Sequence, residues 1–214
     1  LGSVFMLREE WDLALAELEE AVLIDSTNLQ VWEMMASLAN QSGRPALMQA
    51  SLRALQARDP NHFLRFQSKG VELYQSGKIA EAESEFRQGI RRKRDSRLLN
   101  NLAHILMEQN RELQEALDLV NEAIRREGTQ AVYLSTRAAI YLKLGRYDEA
   151  RVDLQEGLKR RGRNAGLLLM LAQSYEGLGD RERALKVAKV LAGQPDELSP
   201  GQKQQVKELV LRLR

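Results

Sequence analysis

The chain has 214 residues, 43% of them apolar, 29% charged and only 5% aromatic, which is enough to bury the core of one domain or two small ones. Its 32 basic and 30 acidic residues leave a net charge of +2, which by itself says nothing about nucleic acid; residues 1–62 nevertheless hold 4 basic against 9 acidic side chains and the remainder 28 against 21, so the two ends differ in sign. The absence of cysteine excludes disulfides, thiolate metal sites and a cysteine nucleophile, two histidines (His62 and His104) leave little for zinc or histidine chemistry, and no apolar run nears the roughly 18–20 residues of a membrane span.

From the N-terminus onward the chain repeats itself. Ala14, Met48, Ala82, Ala116, Ala150 and Ala184 stand 34 residues apart. A second small residue precedes each one: Gly2, Ala36, Gly70, Ala103, Ala138 and Ala172. A large apolar residue follows four places on at Leu18, Leu52, Phe86, Val120 and Leu154, with Ala188 the exception. Between the small residues come Gly43, Gly77, Gly145 and Gly179, and Asn110 stands where glycine is expected, in a turn lengthened by one residue within Gln109–Glu115.

This spacing predicts a helix, a turn and a second helix in each unit. Small residues belong where two helix axes approach closely, and a glycine after the first helix ends it without a Cβ penalty. Trp32, Phe66, Leu73, Tyr141 and Tyr175 are placed to fill the layer between pairs. One pair cannot bury both of its faces, so pairs must stack. The four prolines, Pro45, Pro60, Pro195 and Pro200, all fall at joints. The units read as 1–28 (truncated), 29–62, 63–95, 96–130, 131–164 and 165–198. A last helix over 199–214 shows an apolar face at Val206, Leu209, Val210 and Leu213, as a capping helix does. Met48, in place of alanine, predicts a looser pair. The first unit opens in mid-helix at Leu1-Gly2, so the chain reads as a piece of something longer, with the alternative function of a recruitment domain in a larger enzyme or a bacterial envelope or secretion assembly. Its apolar Leu1, Val4 and Phe5 would then be open to end-to-end self-association.

Residues 131–164 carry Ala138, Tyr141, Gly145, Tyr147 and Ala150; residues 29–62 add Trp32 and a closing Asp59-Pro60-Asn61. On these residues the chain resembles the tetratricopeptide repeat family, over essentially its whole length. The resemblance implies an all-α, right-handed superhelical solenoid of helix-turn-helix repeats with a C-terminal capping helix. It also implies that a concave face, lined by the first helices, takes an extended peptide or a partner helix. It does not name the partner, because fold does not imply function.

No catalytic set emerges: there is no phosphate-binding glycine loop, no GxSxG elbow and no HExxH. We therefore expect no enzyme, no cofactor, no metal and no small-molecule substrate, but a scaffold for a protein or peptide partner. The first-helix residues facing away from the second helices give candidate peptide-binding positions Met34, Gln67, Ser68, Arg97, Asn100, Asn101, His104, Ser135, Thr136, Met170 and Gln173. The amides can pair with a peptide backbone and the methionines adapt to apolar side chains; equally, Asn100 and Asn101 can be polar residues tolerated on an exposed face. Family members that clamp a chaperone's terminal carboxylate use Lys, Arg and Asn on three successive first helices, and only Asn101 fits here. An asparagine ladder is absent too, since its register reads Met34, Ser68, Asn101, Thr136, Met170.

A second candidate surface is a basic edge formed by the ends of second helices: Arg91, Arg92, Lys93, Arg94, then Arg125, Arg126, then Lys159, Arg160, Arg161 and Arg163. Cations favour helix C-termini in any case; the sharper reading is an anionic protein or lipid partner. Nucleic acid is disfavoured, because no repeating side-chain pair supplies a one-base-per-repeat code. No direct membrane contact is expected. Lack of cysteine suits cytoplasm and periplasm alike.

Overall fold

The computed structural model describes residues 10–213, which form twelve α-helices and one short 3₁₀ turn, with no strand among the described residues. Gly2 and the apolar Leu1, Val4 and Phe5 lie outside the described residues. The chain divides into two compact bodies, 1–94 and 95–214. The N-terminal body holds α1 (Trp11–Ile24), the pair α2 (Leu29–Gln41) and α3 (Pro45–Arg58), and the pair α4 (Phe63–Gln75) and α5 (Ile79–Arg92). The C-terminal body holds α6 (Ser96–Glu108) with α7 (Leu113–Glu127), α8 (Ala131–Lys143) with α9 (Tyr147–Arg161), and α10 (Ala165–Gly177) with α11 (Arg181–Ala192). After the turn Pro195–Glu197 it ends in α12 (Pro200–Leu213).

First and second helices start by different means. Asn28, His62, Asp95 and Asn164 cap first helices, their side chains accepting backbone N–H bonds from the opening turn. Four of the five second helices start without such a cap, directly from a tight turn. In each turn a backbone N–H reaches back five residues: Arg44 to Ala39, Lys78 to Leu73, Arg111 to Leu106, Arg146 to Tyr141 and Asp180 to Tyr175. This closure needs a left-handed residue just before the donor. Gly43, Gly77, Gly145 and Gly179 supply it, and Asn110 does so with φ 52°. Asparagine is among the few other residues that tolerate this region. The inserted residue has a second consequence that the spacing did not announce: Glu112 also takes a left-handed φ of 48°.

Packing follows the small-residue grid. Ala14, Ala82, Ala116, Ala150 and Ala184 are all fully sealed, as are Ala103, Ala138 and Ala172. At Gly70 even a methyl group is too much, since an added Cβ would overlap the Phe86 ring. The α2–α3 pair is the exception. Met48 cannot enter a gap built for alanine and stays half-buried, as does Leu52. Ser51 and Leu55 are sealed instead, the Ser51 hydroxyl donating to the Leu47 carbonyl at 2.9 Å. Phe66, Leu73, Tyr141 and Tyr175 are buried. Trp32 is only half-buried; its indole N–H donates to the Ser26 carbonyl at 2.9 Å, and Arg58 lies over the ring and donates to the same oxygen.

In the C-terminal body α6 contacts α8 and α8 contacts α10, so the three first helices stand side by side and present one continuous face. Each second helix packs on the next first helix, α7 on α8 and α9 on α10. Helix α12 lies against α11 and α10 and buries Val206, Leu209 and Leu213.

Candidate interaction surfaces

On α6 the spacing of Arg97, Asn100, Asn101 and His104 puts all four on one face, because residues three and four apart are neighbours on a helix. Arg97, Asn101 and His104 are half-buried. Arg97 is held by Asp95 at 3.4 Å, and the His104 ring lies 3.5 Å from the Glu108 carboxylate one turn on. Asn100 is different. It is 6% exposed, and its Oδ1 is buried without a hydrogen-bond partner among the described residues. On α8, Ser135 is half-buried while Thr136 is sunk to 6% exposure, its hydroxyl donating to the Val132 carbonyl. On α10, Met170 and Gln173 are half-buried. The contact between successive first helices explains why two of these polar side chains form the floor of the face rather than its crest. In the N-terminal body Met34, Gln67 and Ser68 are half-buried, and Gln67 Oε1 is a second buried acceptor without a partner.

The predicted basic residues are all exposed, but many are already engaged. Lys93 turns inward: its ammonium donates to Glu33 at 2.9 Å and sits 4.2 Å over the Phe63 ring. In the C-terminal body Arg126 pairs with Glu122, Lys159 and Arg160 share Glu156, and Arg163 meets Glu197. Sequence alone could not show this neutralisation in full. The i,i+4 pairs Glu122–Arg126 and Glu156–Arg160 are visible in the spacing, whereas Glu33–Lys93 and Arg163–Glu197 join residues from different helices or loops.

Two polar clusters were not foreseen. In the N-terminal body Glu33 on α2 accepts from both Lys93 and the His62 ring at 2.9 Å. Burial raises the Glu33 pKa, but the two donors outweigh it and the carboxyl stays below its ordinary value. In the C-terminal body Arg137 on α8 makes a two-pronged pair with Asp153 on α9, both bonds 2.7 Å, and donates to Asn121 on α7 at 2.9 Å. Its bond to Asp153, against the cost of burial, pushes the guanidinium pKa further up. Tyr133 donates to Glu127; burial first, then that bond and the Glu127 charge, raise the phenol above its ordinary value. No cluster of three potential metal ligands occurs among the described residues, and no described helix is long and apolar enough to cross a membrane.

Comparisons with known proteins agree with this architecture. Family models described as tetratricopeptide repeat match residues 68–131 and 141–199. A search of curated proteins returns no significant match. Among solved structures, the chain is similar to PilF of Pseudomonas aeruginosa (20% identity, TM-score 0.62, 97% of this chain and 94% of that one). It is also similar to PilW, a widely conserved type IV pilus biogenesis factor (16% identity, TM-score 0.59, 97% and 95%). A third is YrrB, a protein with an unusual peptide-binding site (16% identity, TM-score 0.58, 89% and 97%). With helix pairs of this grammar along the described chain and two family models covering more than half of it, the chain belongs to the tetratricopeptide repeat family.

Proposed function

We propose that this chain is a non-enzymatic protein-interaction scaffold, and that the face of α6, α8 and α10 is a groove that holds an extended peptide or helix of a partner. The observation that supports this reading is Asn100. A buried amide oxygen without a donor costs about 1–3 kcal/mol. Beside it on the same face, the half-buried Arg97, Asn101 and His104 offer donors and acceptors of the kind that an extended peptide backbone pairs with. Ser135, Gln173 and Met170 extend the same face, with polar groups for a backbone and an adaptable thioether for a side chain.

The test is a selection of peptides from a displayed library by the wild-type chain, followed by affinity measurements on the triple variant Asn100→Ala, Asn101→Ala, His104→Ala. Selected peptides are expected to lose about tenfold or more in affinity, while the helical signal and melting temperature stay close to wild type. Undiminished binding to the folded triple variant would remove the groove assignment.

A further inference from the structure

Three arginines of the N-terminal body gather at one place. Between the end of α5 and the start of α4 lies a pocket of about 550 Å³, lined by Asn61, Arg65, Phe66, Gln88, Arg91 and Arg92. Three arginines line it and no acidic residue does. Arg91 and Arg92 make no ion pair with a described residue, and Arg65 is fixed only by stacking on the buried Phe66 ring at 4.6 Å. Asp59, two residues before Asn61, accepts from the Asn61 backbone N–H at 3.0 Å.

Helix-end preference does not account for this cluster. Arg91 and Arg92 sit in the last turn of α5, where the helix dipole favours cations. Arg65 is in the first turn of α4, where the dipole disfavours them. Three like charges therefore converge where one helix end opposes them, and only a buried ring holds one of them in place. A bound anion would relieve that repulsion.

The geometry points to an acidic peptide segment, with at least two neighbouring carboxylates, as the occupant of this pocket. Each guanidinium can take a carboxylate with two parallel bonds. The pocket is open to solvent on one side and has room for several side-chain-sized groups rather than one small ion. Asn61 and Gln88 offer both donors and acceptors, which a peptide backbone needs and a phosphate cannot use in full. A nucleic acid would need cations repeated along a track, whereas in the other body Arg126 and Arg163 each pair with a glutamate and Lys159 and Arg160 share one. The pocket is distinct from the groove of α6, α8 and α10, and either assignment can fail without the other.

The test measures binding of a fluorescein-labelled Gly-Glu-Asp-Glu-Asp-Gly peptide to the full chain by anisotropy at low salt. The amide isostere Gly-Gln-Asn-Gln-Asn-Gly and a single-stranded oligonucleotide serve as competitors. The acidic peptide is expected to bind and to weaken as salt rises, and the isostere to fail to compete. Arg91→Ala with Arg92→Ala, and separately Arg65→Gln, should weaken binding by about tenfold or more. Arg125→Ala with Arg161→Ala, in the other body, and the groove triple variant should leave it unchanged. Circular dichroism checks that every variant is folded. The proposal is overturned if the acidic peptide does not bind, if the isostere competes equally, or if the Arg91 and Arg92 variant binds like wild type. It is also overturned if the Arg125 and Arg161 variant loses as much, which would mean diffuse attraction. An oligonucleotide that displaces the peptide at lower concentration and depends on the same arginines would reassign the pocket to nucleic acid.

Discussion

The two bodies are built from one repeat grammar but are held together differently. In the C-terminal body Ala116, Ala150 and Ala184, together with Val120 and Leu154, are fully sealed. Arg137 there joins three helices through Asp153 and Asn121. In the N-terminal body the grid breaks at Met48 and Leu52, and Glu33 on α2 is bound by His62 and Lys93, which flank the α4–α5 pair. Where small residues let helices close, apolar packing is dense enough to shelter a two-pronged ion pair. Where the grid breaks, the cross-helix charged contact is more exposed, and such contacts are worth less.

The largest effect that would break this contrast is expected at Asp153. Replacing it with alanine leaves the Arg137 guanidinium largely buried without its carboxylate, and should cost about 3 kcal/mol in urea unfolding. Next is Ala150→Met, which copies the Met48 residue into a sealed position. Overpacking should cost about 2 kcal/mol there, read as a lower midpoint in the same experiment.

Glu33→Gln keeps the shape and removes the charge, with an expected loss of about 1 kcal/mol at neutral pH. The pH dependence follows from the sign of the shift. The Glu33 pKa is lower in the folded chain than its ordinary 4.5, so its stabilisation is complete above that value and is lost as pH falls through the folded value. Melting curves of wild type and Glu33→Gln should therefore differ at neutral pH and converge in acid. A difference that persists unchanged in acid would show that the pair contributes by shape alone. The smallest effect is expected for Met48→Ala, within about 0.5 kcal/mol, because the half-buried side chain gives up little when removed. A loss as large as that of Ala150→Met would show that the α2–α3 pair depends on Met48.

What the sequence determined by itself is whatever repeats or acts within a few residues. The alanine register, the turn glycines and the stand-in role of Asn110 are legible because each is a local steric demand, and the chain states it several times over. The apolar face of α12 is legible for the same reason. The tertiary structure alone decided which polar residues of separate helices meet and which are buried. Nothing in the spacing announces that Lys93 leaves the basic edge for Glu33, that Arg137 finds Asp153, or that Asn100 and Thr136 lie on the floor of the face. Nor does it show that Arg65 joins Arg91 and Arg92 around one pocket. These contacts bring residues from separate helices together. Each occurs once, and its partners are fixed by how neighbouring helices stack rather than by the period that makes the helices.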